Sequence, residues 1–228
     1  MAEIGLFEAM YTARAIRRIK PDPVPDEVIA RVLDAAIRAP SGSNAQSWVF
    51  VVVKDAERRK RLGAVYKKAS AILSKLYEGA KPPPHMDPAK YERWWKTVVD
   101  LFDHMGDAPV LIVPCLKQSI WAGASQLPDD VKARMASAGR IAGSSIYPAV
   151  QNIILACRAF GLGTVLTTIH AFFEDEVREI LKLPPEVQTY ALMPVGYPKG
   201  KHGPVTRKPI SEVACLDTYG NAWTVLPK

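Results

Sequence analysis

The stretch LDAAIRAPSGSNAQSWVFVVV, Leu33 to Val53, decides how the chain is to be read, because three kinds of structure meet inside it. Its first third closes a helix opened at Asp26. In DEVIARVLDAAIRA the residues Val28, Ile29, Val32, Leu33, Ala36 and Ile37 fall on one stripe at the helical period, with Asp26 and Glu27 in the first turn, where the helix dipole favours acids. Pro40 ends it. The last third, WVFVVV (48–53), is β-branched and apolar on both faces, which predicts an interior strand covered by helices on each side. Between the two lie Ser41, Gly42, Ser43, Asn44 and Gln46, more small polar residues than a helix stop requires. A strand clad by helices makes the chain an α/β or α+β protein.

Working outward, the same alternation recurs. Residues 4–13 predict a short amphipathic helix, and ARAIRRIKPDPVP predicts an extended segment forced by its prolines. A long helix follows over 56–78, and APVLIVPCL (108–116) reads as a second apolar strand. Between them, after KPPPH, comes KYERWWKTVVDLF, in which Tyr91, Trp94, Trp95 and Phe102 read either as core or as a mobile cover over a flat ligand. IAGSSIYPAVQNIILACRAF (141–160) predicts a long helix apolar nearly all round, hence buried centrally or in a subunit interface. GLG (161–163) supplies a left-handed stop, TVLTT (164–168) a strand, EDEVREILKL a helix and TYALMPVG (189–196) a further strand. The tail RKPISEVACLDTYGNAW has no period.

The bulk properties agree with one globular unit. At 48% hydrophobic and 23% charged residues, the 228-residue chain suffices for one substantial core, and nothing in it reads as a linker. A single domain over 1–228 is expected, with the helical segment at about 78–105 as an insertion. No apolar run reaches the length a bilayer needs, and Glu3 and Glu8 stand where a secretory leader would be basic, so a cytoplasmic location and no membrane partner are expected. Cys115, Cys157 and Cys215 are far apart in small or apolar surroundings and read as reduced core residues. His85, His104, His170 and His202 lack metal-ligand spacing, so no metal is expected. The net charge of +7 suits either a polyanionic partner or an anionic ligand; its densest cluster, KDAERRKR, mixes signs like a solvated helix face, and no nucleic-acid partner is expected.

The usual catalytic fingerprints are missing. GLGTVL follows a helix and precedes a strand, the reverse of the order a dinucleotide fingerprint requires, and there is no phosphate loop or serine elbow. What remains are polar breaks in an apolar scaffold: RAIRR (14–18), PSGSN (40–44), LTT (166–168) and TRKP (206–209). Two bring arginines, whose rigid fork suits phosphate, and two bring small hydroxyl residues that let backbone N–H groups approach a ring edge. Taken singly, each is equally a surface charge or a cap.

Together they carry a resemblance. The chain resembles the flavin-dependent nitroreductase family from about residue 10 to residue 217, through ARAIRRIKPDPVP, LDAAIRAPSGSNAQSWVFVVV, AVQNIILACRAFGLGTVLTT, and LMPVGYP with TRKPISEV. APVLIVPCLKQ, GLGTVLTT and VGYP followed by RKP look closest to the iodotyrosine-deiodinase-like branch.

The resemblance implies an α+β nitroreductase-like fold, a mainly antiparallel central sheet flanked by helices, and an intertwined homodimer with FMN at the subunit interface. It implies that Arg14, Ala15 and Arg17 hold the flavin's phosphate and pyrimidine side and that Ser41 reaches the flavin from the partner subunit. Leu166, Thr167 and Thr168 would lie beside the ring, Thr168 as hydrogen-bond partner of N5, and Arg207 would bind the phosphate. The residues themselves add one expectation: if the aromatic segment is a cover rather than core, Tyr91, Trp94 and Trp95 form its substrate lid. Ala13 and Ala15 stand where Arg and Ser are usual in the family, so backbone must make those two contacts. The implied activity takes hydride from NADH or NADPH in ping-pong order and reduces a nitroaromatic, quinone or similar electron-poor aromatic. Reductive dehalogenation, or a non-catalytic flavin-binding redox role, are the alternatives.

Overall fold

A computed structural model describes residues 4–84, 86–117, 128–134 and 138–225. Its organising element is β2 (Val110–Lys117), buried along its length except at Lys117. Successive side chains of a strand point to opposite faces. On one face Val110, Ile112 and Leu116 join a core with α2 (Asp26–Ala36) and α7 (Tyr147–Ala159), where Val32, Ala36, Val150 and Ile153 are buried. On the other, Leu111, Val113 and Cys115 meet Leu62, Val65 and Tyr66 of α3 (Ala56–Tyr77) and Leu101 and Phe102 of α4 (Pro88–His104). This helix, sheet, helix layering follows from strands that are apolar on both faces.

All pairings in the sheet are antiparallel. β1 (Trp48–Val53) runs along β2 from Trp48 opposite Leu116 to Val53 opposite Leu111. On the far side of β2 sit β4 (Val187–Thr189) and β5 (Met193–Gly196), and β3 (Gly163–Thr164) pairs with β5. The remaining helices are α1 (Leu6–Thr12), α5 (Asp129–Arg134), α6 (Ala138–Gly143) and α8 (Glu174–Leu181). Local chemistry fixes the long helices: the carboxylates of Asp55 and Asp87 accept from the N–H groups of Arg58 and Lys90 at the first turns of α3 and α4.

Several expectations need correction. WVFVVV is an edge strand among the described residues: both faces touch core, but it pairs there only with β2, and Val49 remains 38% exposed. TVLTT is a strand only at Gly163 and Thr164; beyond them Leu192 N–H donates to Thr167 O and the Thr167 hydroxyl to Leu192 O, which draws the chain off the ladder. TYALMPVG is divided between β4 and β5, which pair with opposite ends of β2. Between them Tyr190 N–H reaches Pro114 O at 2.9 Å, and Pro114 itself has no N–H to return. The helix expected over 141–160 breaks at residues 144–146, because Pro148 sits at the start of α7. Cys115 and Cys157 are buried, with burial pushing both thiols up to about 12, but Cys215 is exposed.

Candidate functional site

The arginine segment RAIRR is held against the sheet by its own backbone. Ile16 N–H donates to Thr164 O at 2.9 Å, Lys20 N–H to Tyr197 O at 2.8 Å and Lys199 N–H to Arg18 O at 3.0 Å, with Ile19 bridged to Pro198. Two glycines make this approach feasible. A Cβ on Gly163 would stand 2.5 Å from Cγ2 of Ile16, and one on Gly196 would stand 2.5 Å from Cγ2 of Ile19. The glycines of GLG and VGYP therefore share a task, which is to let RAIRR lie flat. Gly161, at φ +71, serves instead as the left-handed stop after α7.

Opposite that segment runs the N-terminal half of α4, and between them opens a cleft of about 890 Å³. Arg14, Ala15, Arg17 and Arg18 form one wall, extended by Lys199, Lys201 and Thr206. Lys90, Arg93, Trp94 and Thr97 form the other. The two walls are tied together: Arg18 Nε lies 3.1 Å from Asp100 of α4, and the Arg17 guanidinium sits 5.6 Å from the centre of the Trp94 ring. Burial pulls the Arg17 guanidinium below its ordinary value, the phenol of Tyr66 opposes that, and the charge of Arg14 adds to it.

Tyr66 links the arginines to LTT. It is buried on α3, its hydroxyl hydrogen-bonds Thr167, and it lies close enough to Arg17 to feel its charge. Burial pushes this phenol up to about 12, with Thr167 and Arg17 working against the rise. Leu166 is 40% exposed, Thr168 is exposed, and no backbone N–H of Leu166, Thr167 or Thr168 meets an acceptor among the described residues.

The other expected residues are more scattered. Ser41 does not line the cleft; its hydroxyl accepts from Gln46 N–H at 3.0 Å inside the loop before β1, while Gly42 N–H donates to Ser145 Oγ at 3.0 Å. Ser43, Asn44 and Gln46 all hold positive φ, which is costly for residues with a side chain and marks a loop kept in a fixed, strained shape. Arg207 is exposed just past Thr206, with its guanidinium on the Thr206 carbonyl at 2.9 Å, outside the cleft wall. Of the three expected lid aromatics, Trp94 faces the cleft, while Tyr91 and Trp95 line a separate hollow with Tyr77 behind α4. The far half of α4 is core, with Val98, Leu101 and Phe102 buried. Sequence reasoning missed Tyr66, whose place in the apolar stripe of α3 looks like ordinary core, and Lys199 and Lys201, which sit in no motif.

The model of the nitroreductase family matches residues 11–197. The chain belongs to the nitroreductase family. It is thereby an FMN-dependent oxidoreductase. Among curated relatives, a NADH dehydrogenase of Thermus thermophilus is 29% identical over 212 residues, spanning 90% of this chain and 92% of the relative. An iodotyrosine deiodinase of Danio rerio is 27% identical over 92% of this chain and 66% of its own length. Among solved structures, a BluB-like flavoprotein from Clostridium difficile 630 superposes with a TM-score of 0.70 at 23% identity, covering 94% of this chain and all of that one, 100%. An iodotyrosine deiodinase bound to FMN and 3-iodo-L-tyrosine superposes at 0.65 with 22% identity, over 95% of this chain and 100% of that one. At these identities the structures speak for the α+β fold. The residues present fit the cofactor of the family: a cationic cleft wall, and a run of unpaired N–H groups at LTT joined to it through Tyr66. No helix among the described residues is long and apolar enough to cross a membrane.

Proposed function

We propose that this protein takes reducing equivalents from NADH or NADPH and passes them, in ping-pong order, to nitroaromatic, quinone or similar electron-poor aromatic acceptors. The observation that carries the reading is the docking of RAIRR between Gly163 and Gly196, which turns Arg14 and Arg17 into one wall of an open cleft facing Trp94. The redox chemistry is the cofactor's own, two-electron transfer in from a reduced nicotinamide and out to an acceptor.

The chain's residues bind, orient and exclude water. Arg17 has lost part of its hydration, so its attraction for negative charge on the pyrimidine edge is screened less than at a free surface. Arg14 acts beside it, the backbone at Ala15 replaces a missing side chain, and Arg207 turns from its own backbone to the phosphate. The free N–H groups of Leu166, Thr167 and Thr168 suit a ring edge, with the Thr168 hydroxyl toward N5. Ser41, on its fixed loop, serves the site of a partner subunit in a homodimer. The whole chain acts as one FMN-binding unit. Trp94 offers a flat apolar surface to the incoming ring, and Tyr91 and Trp95 support it through tilted ring contacts at 5.3 and 5.9 Å. No side-chain acid or base is needed in such a scheme.

Reductive dehalogenation of an amino acid is less well supported, since the one carboxylate on the cleft wall among the described residues, Asp87, is engaged as the cap of α4. The deciding experiment is steady-state oxidation of NADH and NADPH by purified FMN-loaded protein with a neutral quinone as acceptor. Parallel double-reciprocal plots are expected. A flavin-bound protein that turns over none of these acceptors with either nicotinamide would remove the reading.

A further inference from the structure

The cleft has more positive charge than its cofactor calls for, and the excess sits where helix physics disfavours it. Lys90 and Arg93 lie three residues apart on the same face of α4, where like charges repel. Lys90 is also in the first turn of that helix, at the positive end of its dipole. Neither has an ion-pair partner among the described residues, although the same helix pairs its outward Lys96 with Glu92 at 2.9 Å. Lys199 and Lys201 across the cleft are equally without carboxylate partners among the described residues. Asp87, the single acid on the lining among the described residues, spends its carboxylate on Lys90 N–H. A surface under no demand would have spread these charges or paired them, and local rules broken without compensation inside a cleft point to a ligand.

The position of the cations says which ligand. Arg14 and Arg17 belong to the opposite wall and serve the flavin in the reading above, whereas Lys90 and Arg93 are exposed on the α4 wall, flanking Trp94. We infer that the acceptor is an aromatic compound bearing an anionic substituent, its ring against Trp94 and its charge between Lys90 and Arg93. Identification of the ligand as an acceptor rests on the proposed function; the preference for a negative charge beside a flat ring rests on the cleft alone. Nicotinamide phosphate shares the chemistry of an anion attached to a flat molecule, and the test separates the two.

Equilibrium dialysis of the FMN-loaded protein against 4-nitrobenzoate and its uncharged counterpart 4-nitrobenzamide reads the preference directly. The benzoate is expected to bind about tenfold more tightly, as befits two exposed and partly screened cations. Raising the salt concentration should erode that ratio in the wild type, and Lys90→Gln with Arg93→Gln should bring it to within about twofold. Equal affinity for the two ligands in the wild type, or a ratio that the double variant leaves unchanged, overturns the inference. So does a double variant that binds NADPH more weakly than the wild type while keeping its preference for the benzoate. Selective binding of the benzoate without any NADH or NADPH oxidation by a neutral quinone would sink the oxidoreductase reading and leave this one standing; turnover without charge preference would do the reverse.

Discussion

Replacing Gly163 by alanine tests whether the arginine wall is built by backbone approach. The new Cβ would lie 2.5 Å from Cγ2 and 2.9 Å from Cβ of Ile16, and 3.3 Å from Cβ of Pro198. Carbon atoms pack at about 3.5–4.0 Å, so the segment must retreat by roughly 1 Å. Overpacking of this kind costs ~1–3 kcal/mol, partly offset by the ~0.4–1 kcal/mol that alanine gains through a less disordered unfolded chain. The net loss of about 1–2 kcal/mol should lower Tm by roughly 2–8 °C in a chain of this size. The larger effect falls on function, because the Ile16 to Thr164 hydrogen bond of 2.9 Å lengthens and Arg14 and Arg17 move with it. FMN retention should fall by roughly tenfold or more, given how steeply ångström misplacements act. Gly161→Ala is the control: nothing lies within 4 Å of its Cβ, but φ +71 makes the alanine strained by ~1–2 kcal/mol. Both variants should melt early in thermal denaturation, and only Gly163→Ala should release flavin on gel filtration. Equal flavin retention in the two would refute the reasoning.

Two further predictions concern charge. Arg207→Ala should weaken FMN binding by the worth of a charged hydrogen bond, ~1.5–3 kcal/mol, measured by fluorescence titration of the apoprotein; unchanged affinity would remove this residue from the site. His170 should make the protein sensitive to acid. It is fully buried; its Nε2 sits 3.1 Å from the Thr189 hydroxyl, which donates in turn to Glu174 Oε1 at 2.8 Å, so Nε2 carries the proton and the buried Nδ1 has no partner among the described residues. Burial lowers this imidazole from 6.5 to about 4, against the pull of Glu174. The unfolded chain therefore binds the proton first as pH falls, so the contribution is whole above about pH 6.5 and lost toward pH 4, some 3 kcal/mol as an order of magnitude. Urea midpoints at the two ends of that window should converge in His170→Asn relative to wild type; the same acid sensitivity in both proteins would assign it to other groups.

The layered architecture was legible because β1 and β2 are apolar on both faces and α2 shows its stripe. What escaped the sequence was where strands stop and which is outermost. An apolar run has the same composition at an edge as in the interior, and TYALMPVG pairs with both ends of β2 only because of where Pro114 lies. In the candidate site, the arginines were visible as a motif, and Trp94 as one aromatic in a cluster. The sequence could not show which side of α4 each aromatic takes, since Tyr91, Trp94 and Trp95 span less than two turns and diverge around the helix. Nor could it connect Tyr66 with Thr167 or bring Lys199 to Arg18, because such contacts depend on chain segments far apart in number.

The sheet described above is closed on one side and open on the other. At the β3 side the segment bearing Arg14 and Arg17 supplies backbone partners to residues 164 and 197. At β1 the outer row of N–H and C=O groups of WVFVVV pairs with no strand among the described residues, and Val49 beside it is 38% exposed. A β-branched apolar edge carrying no charge and no proline is a template for adding any similar strand. A newly made copy thus presents to every other copy the same strand edge that its own β2 recognises on the opposite side.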